Sequence, residues 1–207
     1  PTVIIKEKRG YFKRSIAAPL DVTLDADPEM ERMYAIKIRA SAPAIFEELK
    51  RFGDPDRRFL NLRFVQVRRV SGAPGEAGSV IRYSLGRLPV TMDVRLARAI
   101  PCRSLLYEVQ EVFSDRGRLL FDIAPTRDGN HRLVIYTAFD FKKGKGFASR
   151  LFWRVFKGLF PAYAHDVVWN HAICCIKGDA ERNDGGHPPL RPGDPTLGRS
   201  GGKEPSG

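Results

Sequence analysis

The stretch of sequence that decides the fold is residues 104–141, SLLYEVQEVFSDRGRLLFDIAPTRDGNHRLVIYTAFDF. It contains three strand-length apolar segments, and the separators SDRG and TRDGN are rich in the glycine, aspartate and asparagine that turns use. In the middle segment, Leu119, Phe121 and Ile123 alternate with other side chains, two of which are charged. Alternation of this kind predicts consecutive antiparallel strands with one dry face and one face in water.

Four further strands and a helix are predicted upstream of this stretch. The strand candidates are YAIKIRA, LRFVQVRRV, SVIRYSL and VTMDVRLARA. SAPAIFEELKRFGD predicts a helix that Ser41 caps and Gly53 ends, and PDRRFLN predicts a second, short helix. A sheet of about seven strands needs a cover over its dry face, and the long segment from Phe147 to Ala180 is the candidate. Pro161 predicts a kink in that segment.

The two ends of the chain differ from this central pattern. Residues 1–32 are predicted to form an N-terminal arm, in which TVIIKE is a candidate strand. Residues 33–181 form the predicted domain. Residues 182–207 are rich in Gly, Pro and Ser and are predicted to be a disordered tail, because they cannot bury enough apolar surface to fold.

The charge of the chain favours an anionic partner. The 207 residues carry a formal net charge of +11, and the excess lies in residues 33–181, since residues 1–32 hold equal numbers of acidic and basic side chains. Such a balance suits phospholipid head groups, nucleic acid or an acidic ligand, and it also suits an arginine-rich surface in water. Nucleic acid is the least favoured of these partners, because the sequence contains no recognised binding motif.

The three cysteines indicate a reducing compartment. Cys102, Cys174 and Cys175 form an odd set with one adjacent pair, which is no disulfide framework, and no Cys/His spacing fits zinc. No apolar run reaches the roughly 18 residues that span a bilayer, and residues 1–30 lack the apolar stretch of a signal peptide. We therefore expect a cytoplasmic protein, at most peripheral to a membrane, with neither metal nor cofactor.

The order strand, helix, short helix, six strands and long C-terminal helix resembles the START-like, or SRPBCC, superfamily of helix-grip domains. The resemblance covers roughly residues 33–181 and is carried by IRASAPAIFEEL, PGEAGSVIRYSL and APTRDGNHRLVIYTAFDF. It implies an α+β fold in which a curved antiparallel sheet grips the long helix, with a ligand cavity between them. Polyketide cyclases, relatives of the birch-pollen allergen and lipid-transfer START domains belong to this superfamily. Its members bind lipids, sterols, polyketides and other apolar molecules, and some are enzymes while many are not.

The first half of the long segment, RLFWRVFKGLF from Arg150, is amphipathic. On a helical wheel the basic side holds Lys143, Arg150, Arg154 and Lys157, with Trp153 at its edge. The opposite, inner side holds Ala148, Phe152, Val155 and Leu159, with Leu151 beside them. One interpretation places the charges in water over a buried stripe. The other places the basic side and Trp153 against an anionic membrane or another anion, where a lipid carrier would load or unload.

The second half of the segment, PAYAHDVVWNH, places Asp166 and Asn170 on the inner side. Buried polar groups need partners, so these two predict either a satisfied structural network or the polar end of an apolar cavity. Tyr83, Tyr107 and Tyr136 are candidate partners from the strands, although Tyr136 could face outward. The predicted ligand-binding residues are Tyr83, Met92, Tyr107, Phe121, Phe152, Leu159, Tyr163, Asp166 and Asn170.

The sequence favours a non-catalytic binder or carrier of a hydrophobic small molecule over an enzyme. It contains no nucleophile elbow, P-loop or dinucleotide fingerprint. Its only dense titratable group is His165, Asp166 and His171, and the two histidines are six residues apart, which is poor metal geometry on a helix. The alternative is a polyketide cyclase-like enzyme that uses Asp166 and a tyrosine as an acid/base pair. A scaffold with a filled core is the third class.

Overall fold

The computed structural model describes residues 2–4, 6–24, 28–57, 65–84, 91–110, 117–140, 146–147, 150–151, 154–155 and 162–185. Its N-terminal elements are β1 (Thr2–Val3), α1 (Lys6–Ala17), a 3-10 helix (Ala18–Leu20), β2 (Met30–Ile38) and α2 (Ala42–Lys50). The remaining strands are β3 (Gln66–Ser71), β4 (Val80–Ser84), β5 (Thr91–Ile100), β6 (Ser104–Gln110), β7 (Arg118–Pro125) and β8 (His131–Phe139). The last described element is the long helix α3 (Ala162–Asn183).

The strands form one antiparallel sheet in the order β1-β2-β8-β7-β6-β5-β4-β3. Strands β3 to β8 are a meander, as the turn pattern predicts, and β2 pairs along its whole length with β8. The register shifts between Arg69 and Ser71 in β3 and between Leu96 and Arg98 in β5. Such irregularities bend a strand, and they help the sheet to curve. The α+β helix-grip architecture is therefore confirmed.

The inner face of the sheet carries the main core. Leu105 and Tyr107 of β6 and Leu119, Phe121 and Ile123 of β7 belong to one buried cluster. The same cluster takes in Ile45 and Leu49 of α2 and Trp169, Ile173 and Ile176 of α3. Because alternate strand residues point to the same face, the dry face predicted from residues 104–141 is the face that these two helices cover.

The outer face of the sheet is not in water throughout, and the prediction of one wet face is wrong for its central strands. Leu106 and Leu120 face outward and pack in a second buried cluster with Ile16 of α1 and Leu20 of the 3-10 helix. The OH of Tyr136 donates to Glu31 on this side, so Tyr136 faces outward rather than toward the long helix. The arm was predicted from TVIIKE and irregular segments, and its helix α1 was not predicted. The domain limits at residues 33 and 181 stay predictions.

The C-terminal end of α3 is hydrogen-bonded to α2 and to its N-cap residue. Ser41 caps α2 as predicted, accepting from the Ala44 amide at 3.4 Å, and its Oγ donates to Asp184 just beyond α3 at 2.6 Å. Asn183 donates to Glu48 of α2 at 2.6 Å. Helix α2 ends at Lys50, and Gly53 follows with φ +87°. These bonds fix the C-terminal half of α3 against α2.

Some sequence predictions lie outside the described residues. They are the short helix PDRRFLN beyond Arg57, the kink at Pro161, and the side chains of Lys143, Phe152, Trp153, Lys157, Leu159 and Tyr163. Among the residues that the structure describes, no helix is long and apolar enough to cross a membrane. Within the same residues, no group of three or more His, Cys, Asp and Glu side chains could hold a metal ion.

Candidate functional site

An aromatic cluster occupies the inner core between the sheet, α2 and α3. Phe52, which follows α2, is fully buried and makes edge-to-face contacts with three strand side chains. The ring centroids of Tyr83, Tyr107 and Phe121 lie 5.8, 5.7 and 5.8 Å from that of Phe52. Phe121 in turn lies 6.1 Å from Trp169 of α3. The cluster therefore joins both helices to the sheet and presents mostly apolar surface.

Two phenol groups inside this cluster have no hydrogen-bond partner among the residues that the structure describes. The hydroxyl oxygens of Tyr83 and Tyr107 are buried and are bonded to none of the residues that the structure describes. Burial is the main cause that raises the pKa of both phenols, and their mutual proximity raises the pKa of Tyr83 further. Both groups are therefore protonated at neutral pH and are able to donate a hydrogen bond to a ligand oxygen.

Arg69 of β3 lies close enough to Tyr107 to influence the pKa of its phenol. Its NH2 group donates to the carbonyls of Lys50 and Phe52 at 2.8 and 2.9 Å, and its Nε and NH2 bind Asp54. Its NH1 group is buried and unpartnered among the described residues. The positive charge of Arg69 lowers the pKa of Tyr107, against the larger effect of burial. The guanidinium thus fixes the end of α2 and adds a charged group near Tyr107.

Asn170 of α3 supplies a further polar group on this side of the helix. Its Oδ1 atom is buried and accepts no hydrogen bond from the described part of the chain, although the residue as a whole is half-buried. A buried amide oxygen without a donor costs free energy, on the order of 1–3 kcal/mol. The described residues therefore satisfy the predicted polar inner side of α3 only in part.

Asp166 is the centre of a separate polar cluster at the start of α3. The OH of Tyr34 in β2 donates to its carboxylate at 2.6 Å, and Nε of Arg32 lies 3.3 Å from the same oxygen. The Nδ1 atom of His165 is 3.4 Å from the Tyr34 OH. Burial and the bond to Asp166 raise the pKa of Tyr34. The carboxylate thus has a protein partner, but the partner is Tyr34 and not one of the three tyrosines considered from the sequence.

His165 is held in an apolar setting. Its ring lies 5.9 Å from that of Phe139 and 6.2 Å from that of Trp169. Burial lowers its pKa to about 4, although the nearby Asp166 carboxylate raises it. The imidazole is therefore neutral at pH 7. His171, in contrast, is exposed on another side of α3, where its Nε2 is 3.6 Å from Sγ of Cys175.

The predicted ligand residues that the structure describes lie in the aromatic cluster or in the Asp166 cluster, except Asn170, which belongs to neither. Tyr83, Tyr107 and Phe121 lie together in the aromatic cluster, and Met92 pairs with Tyr83 across β4 and β5 and packs on the same core. Sequence reasoning missed Phe52, Arg69, Tyr34 and Arg32. For Tyr34, which lies in the predicted strand YAIKIRA, the pairing with Asp166 was missed. Phe52 and Arg69 gave no periodic signal, because one lies in a turn and the other beside a register shift.

The described part of the segment before α3 does not bury the predicted inner stripe. Phe147, Leu151 and Val155 are helical, and 82%, 51% and 50% of their respective surfaces are exposed. The prediction that Val155 lies on the inner side is therefore wrong. Arg150 and Arg154 are also exposed, as expected. Residues four apart share a helix face, so the three apolar side chains form one exposed stripe beside two arginines.

The fold of the chain is similar to that of two solved structures. Aligned with the Zhui aromatase/cyclase from a Streptomyces species, the chain gives a TM-score of 0.53 at 14% identity, over 74% of this chain and 94% of that one. A Chromobacterium violaceum protein from a structural-genomics programme gives 0.51 at 10% identity, over 73% and 96%. No protein-family profile and no curated protein sequence matches the chain. At these identities the likeness concerns the fold.

Proposed function

We propose that the protein binds a hydrophobic small molecule that carries a hydrogen-bonding oxygen, in the space between the sheet and the C-terminal helix. The observation that carries this proposal is that the buried hydroxyls of Tyr83 and Tyr107, within an aromatic cluster, find no partner in the described part of the chain. A buried hydroxyl without a partner is costly, and a carbonyl or hydroxyl oxygen of a ligand would satisfy it. Lipids, sterols, polyketides and quinone-like molecules fit this description.

The surroundings of the two phenols support a ligand of this chemistry. Small-molecule sites have mostly apolar walls and a few fixed polar groups. Here the walls would be the rings of Phe52 and Phe121, and the fixed groups would be the phenols and NH1 of Arg69. Asn170 would add an acceptor from α3. Met92, Phe152, Leu159 and Tyr163 remain proposed contacts of the same ligand.

The test exchanges the phenols for phenyl rings in the double variant Tyr83→Phe/Tyr107→Phe. We expect the free energy of unfolding of the ligand-free protein to rise by about 1–2 kcal/mol, because two unsatisfied buried hydroxyls are removed. Affinity for 1-naphthol and for a naphthoquinone should fall about tenfold, because the ligand oxygen loses its donors. Denaturant titration measures the first quantity. Quenching of Trp169 fluorescence, in a Trp153→Phe background, measures the second.

The matched control is Tyr34→Phe. In the parent, the hydroxyl of Tyr34 donates to Asp166 at 2.6 Å. Its removal should lower the free energy of unfolding by about 1–3 kcal/mol, which is opposite in sign to the effect of the double variant. Native mass spectrometry of the purified chain shows in addition whether an apolar molecule co-purifies. The proposal fails if the double variant binds both probes as tightly as the parent, or if it is less stable than the parent.

A second candidate function is catalysis of a cyclase type, and the Asp166 cluster favours it. The carboxylate of Asp166 accepts a hydrogen bond from the hydroxyl of Tyr34, and the neutral imidazole of His165 lies beside them. A carboxylate and a phenol in contact could accept and donate a proton during cyclisation of an aromatic or polyketide substrate. The structural neighbour from Streptomyces carries the name aromatase/cyclase. Asp166→Asn should then abolish turnover of a polyketide mimic while its binding persists, whereas a carrier would return the mimic unchanged.

We also propose that the exposed stripe of Phe147, Leu151 and Val155 contacts an anionic membrane when ligand is exchanged. Exposed apolar side chains beside exposed arginines are the composition of interfacial helices. Lys143, Trp153 and Lys157 would extend the contact. The chain should float with vesicles of phosphatidylcholine and phosphatidylglycerol but not with phosphatidylcholine alone. Equal flotation with both, or flotation unchanged by Phe147→Ser/Leu151→Ser and by Arg150→Gln/Arg154→Gln, contradicts this contact.

A further inference from the structure

A groove on the other side of the sheet, under α1, is distinct from the aromatic cluster and from the Asp166 cluster. It has a volume of 560 Å³ and runs between one face of α1 and the Val22–Leu24 segment, with Glu31 of β2 also lining it. Small-molecule sites typically measure about 300–1,000 Å³. No residue of the groove belongs to the inner core, so the proposed function does not account for it.

The groove is positively charged. Arg9, Lys13 and Arg14 of α1 line it together with a single carboxylate, that of Glu31, which leaves a formal charge of +2. Glu31 is already engaged, because Lys13 Nζ donates to it at 2.7 Å, Arg9 lies 3.7 Å away, and the Tyr136 OH donates at 3.1 Å. Arg14 is exposed and makes no hydrogen bond or ion pair with any described residue. The guanidinium of Arg14 is therefore available to bind an anionic ligand.

The rest of the groove lining is mostly apolar and lies at the C-terminal end of α1 and in the segment that follows it. Ala17, Val22 and Leu24 belong to the outer apolar cluster, and each keeps a surface on the groove. The chain reverses at Asp21, whose φ of +49° lies in the left-handed region. The guanidinium of Arg98 donates to the Leu20 carbonyl immediately before this turn. Cationic side chains beside an apolar surface suit a molecule with an anionic head and an aliphatic body.

Gly10 keeps the groove open along α1. A Cβ atom built at this position meets no atom within 4 Å, so packing does not require glycine there. Glycine inside a helix costs roughly 0.5–1 kcal/mol relative to alanine. The missing side chain therefore weakens the helix and, in return, leaves free space next to Lys13 and Arg14.

We propose that this groove binds a small amphipathic anion, with a carboxylate or phosphate on an aliphatic chain. The anionic group lies against Arg14 and Lys13, which donate charge-assisted hydrogen bonds, and the chain lies along Ala17, Val22 and Leu24. The ligand enters where Gly10 leaves space. This site is independent of the proposed function, because it lies on the opposite face of the sheet and shares no residue with the aromatic cluster.

The test is calorimetric titration of the full chain with decanoate, decyl phosphate and decanol, all as monomers at pH 7 and low salt. At least one of the two anions should bind, and decanol should bind about tenfold more weakly, because it lacks the charge that the arginine and lysine recognise. Gly10→Phe should weaken binding of the anion about tenfold or more, because the ring fills the groove. Arg14→Gln should weaken it about three- to tenfold while leaving decanol unchanged. Whichever of decanoate and decyl phosphate binds more tightly shows whether the site prefers a carboxylate or a phosphate.

The matched control is Gly178→Phe in α3, where a built Cβ also meets no atom within 4 Å. This variant adds the same ring to an open helical glycine away from the groove, and it should bind the anions as the parent does. The proposal is overturned if neither anion binds the parent, if decanol binds equally well, or if Gly10→Phe and Gly178→Phe bind alike. Should Gly10→Phe fail to fold, Arg14→Gln decides alone, and unchanged affinity for both anions overturns the proposal.

Discussion

At the scale of the residue, His165 makes the stability of the fold depend on pH. Its pKa is lowered to about 4 by burial, whereas an unfolded histidine titrates near 6.5. Between these values the unfolded chain takes up a proton that the folded chain does not, so the free energy of unfolding falls as the pH falls. The loss begins near pH 6.5, ends near pH 4, and amounts to at most about 3 kcal/mol. Denaturant titrations across that window measure it.

The control for this pH dependence is His171→Gln, because His171 is exposed on another side of the same helix. Its slope should match that of the parent, while His165→Phe should flatten the slope between pH 6.5 and pH 5, above the range in which most carboxylates titrate. An unchanged slope in His165→Phe would show that another group is responsible. A steeper fall in that variant would contradict the assignment as well.

The sequence predicts which face of an element a residue occupies, because the helix and strand periods determine it. It does not predict which residues of two distant elements come into contact. Asp166 and Asn170 were placed inward by the helical period alone, and the structure does give each of them a buried or bonded oxygen. The partner Tyr34 is 132 residues away from Asp166. This contact was not predictable, because no local sequence pattern determines the position of α3 along β2. The position of Arg69 depends likewise on how the chain turns at Phe52 after α2.

At the scale of the element, the end of α3 is fastened to the start of α2 by Asp184. Its carboxylate accepts from the Ser41 amide at 2.8 Å and from the Ser41 hydroxyl at 2.6 Å. Asp184→Ala should lower the free energy of unfolding by about 1–3 kcal/mol, because a charged acceptor of two hydrogen bonds is lost. Ser41→Ala should cost a similar amount, since it removes the cap of α2 as well.

The double variant Asp184→Ala/Ser41→Ala tests whether the two single variants lose stability through the same contact between the two side chains or through different contacts. If the two side chains act together, the double variant should cost less than the sum of the single variants, by about 0.5–3 kcal/mol. Denaturant unfolding of all four proteins gives this coupling energy. A coupling energy of zero would mean that the bond between the helices contributes nothing to stability.

The helices and strands that the sequence predicts correctly are those with a clear hydrophobic period and clear end signals. The strands of the meander and helix α2 have clear periods and glycine-rich or capped ends, and the structure contains them. Helix α1 was missed, because half of its sequence KEKRGYFKRSIA is charged, a glycine lies near its centre, and Ile16 and Ala17 are the apolar side chains that it buries in the outer apolar cluster. Its apolar contacts come from the sheet, and packing overrides a weak local preference.

At the scale of the whole molecule, the sheet is covered on both faces. The inner face holds the aromatic cluster under α2 and α3, and the outer face holds the smaller cluster under α1. Tyr107 and Phe121 point one way, and Leu106 and Leu120 point the other, from the same two strands. Sequence reasoning assigned only one core, because it treated residues 1–32 as an arm outside the domain. The second core also creates the groove under α1.

The contribution of the N-terminal segment to the stability of the whole molecule can be measured with one substitution. Ile16 is 1% exposed and packs in the outer cluster, so Ile16→Ala should lower the free energy of unfolding by about 2–5 kcal/mol. Tyr11→Ala, on the exposed side of the same helix, should change it by less than about 0.5 kcal/mol. A single cooperative transition in both variants would show that residues 6–24 unfold together with the sheet. If Ile16→Ala is as stable as the parent, the segment is an independent arm, and the domain begins near residue 33 as the sequence predicts.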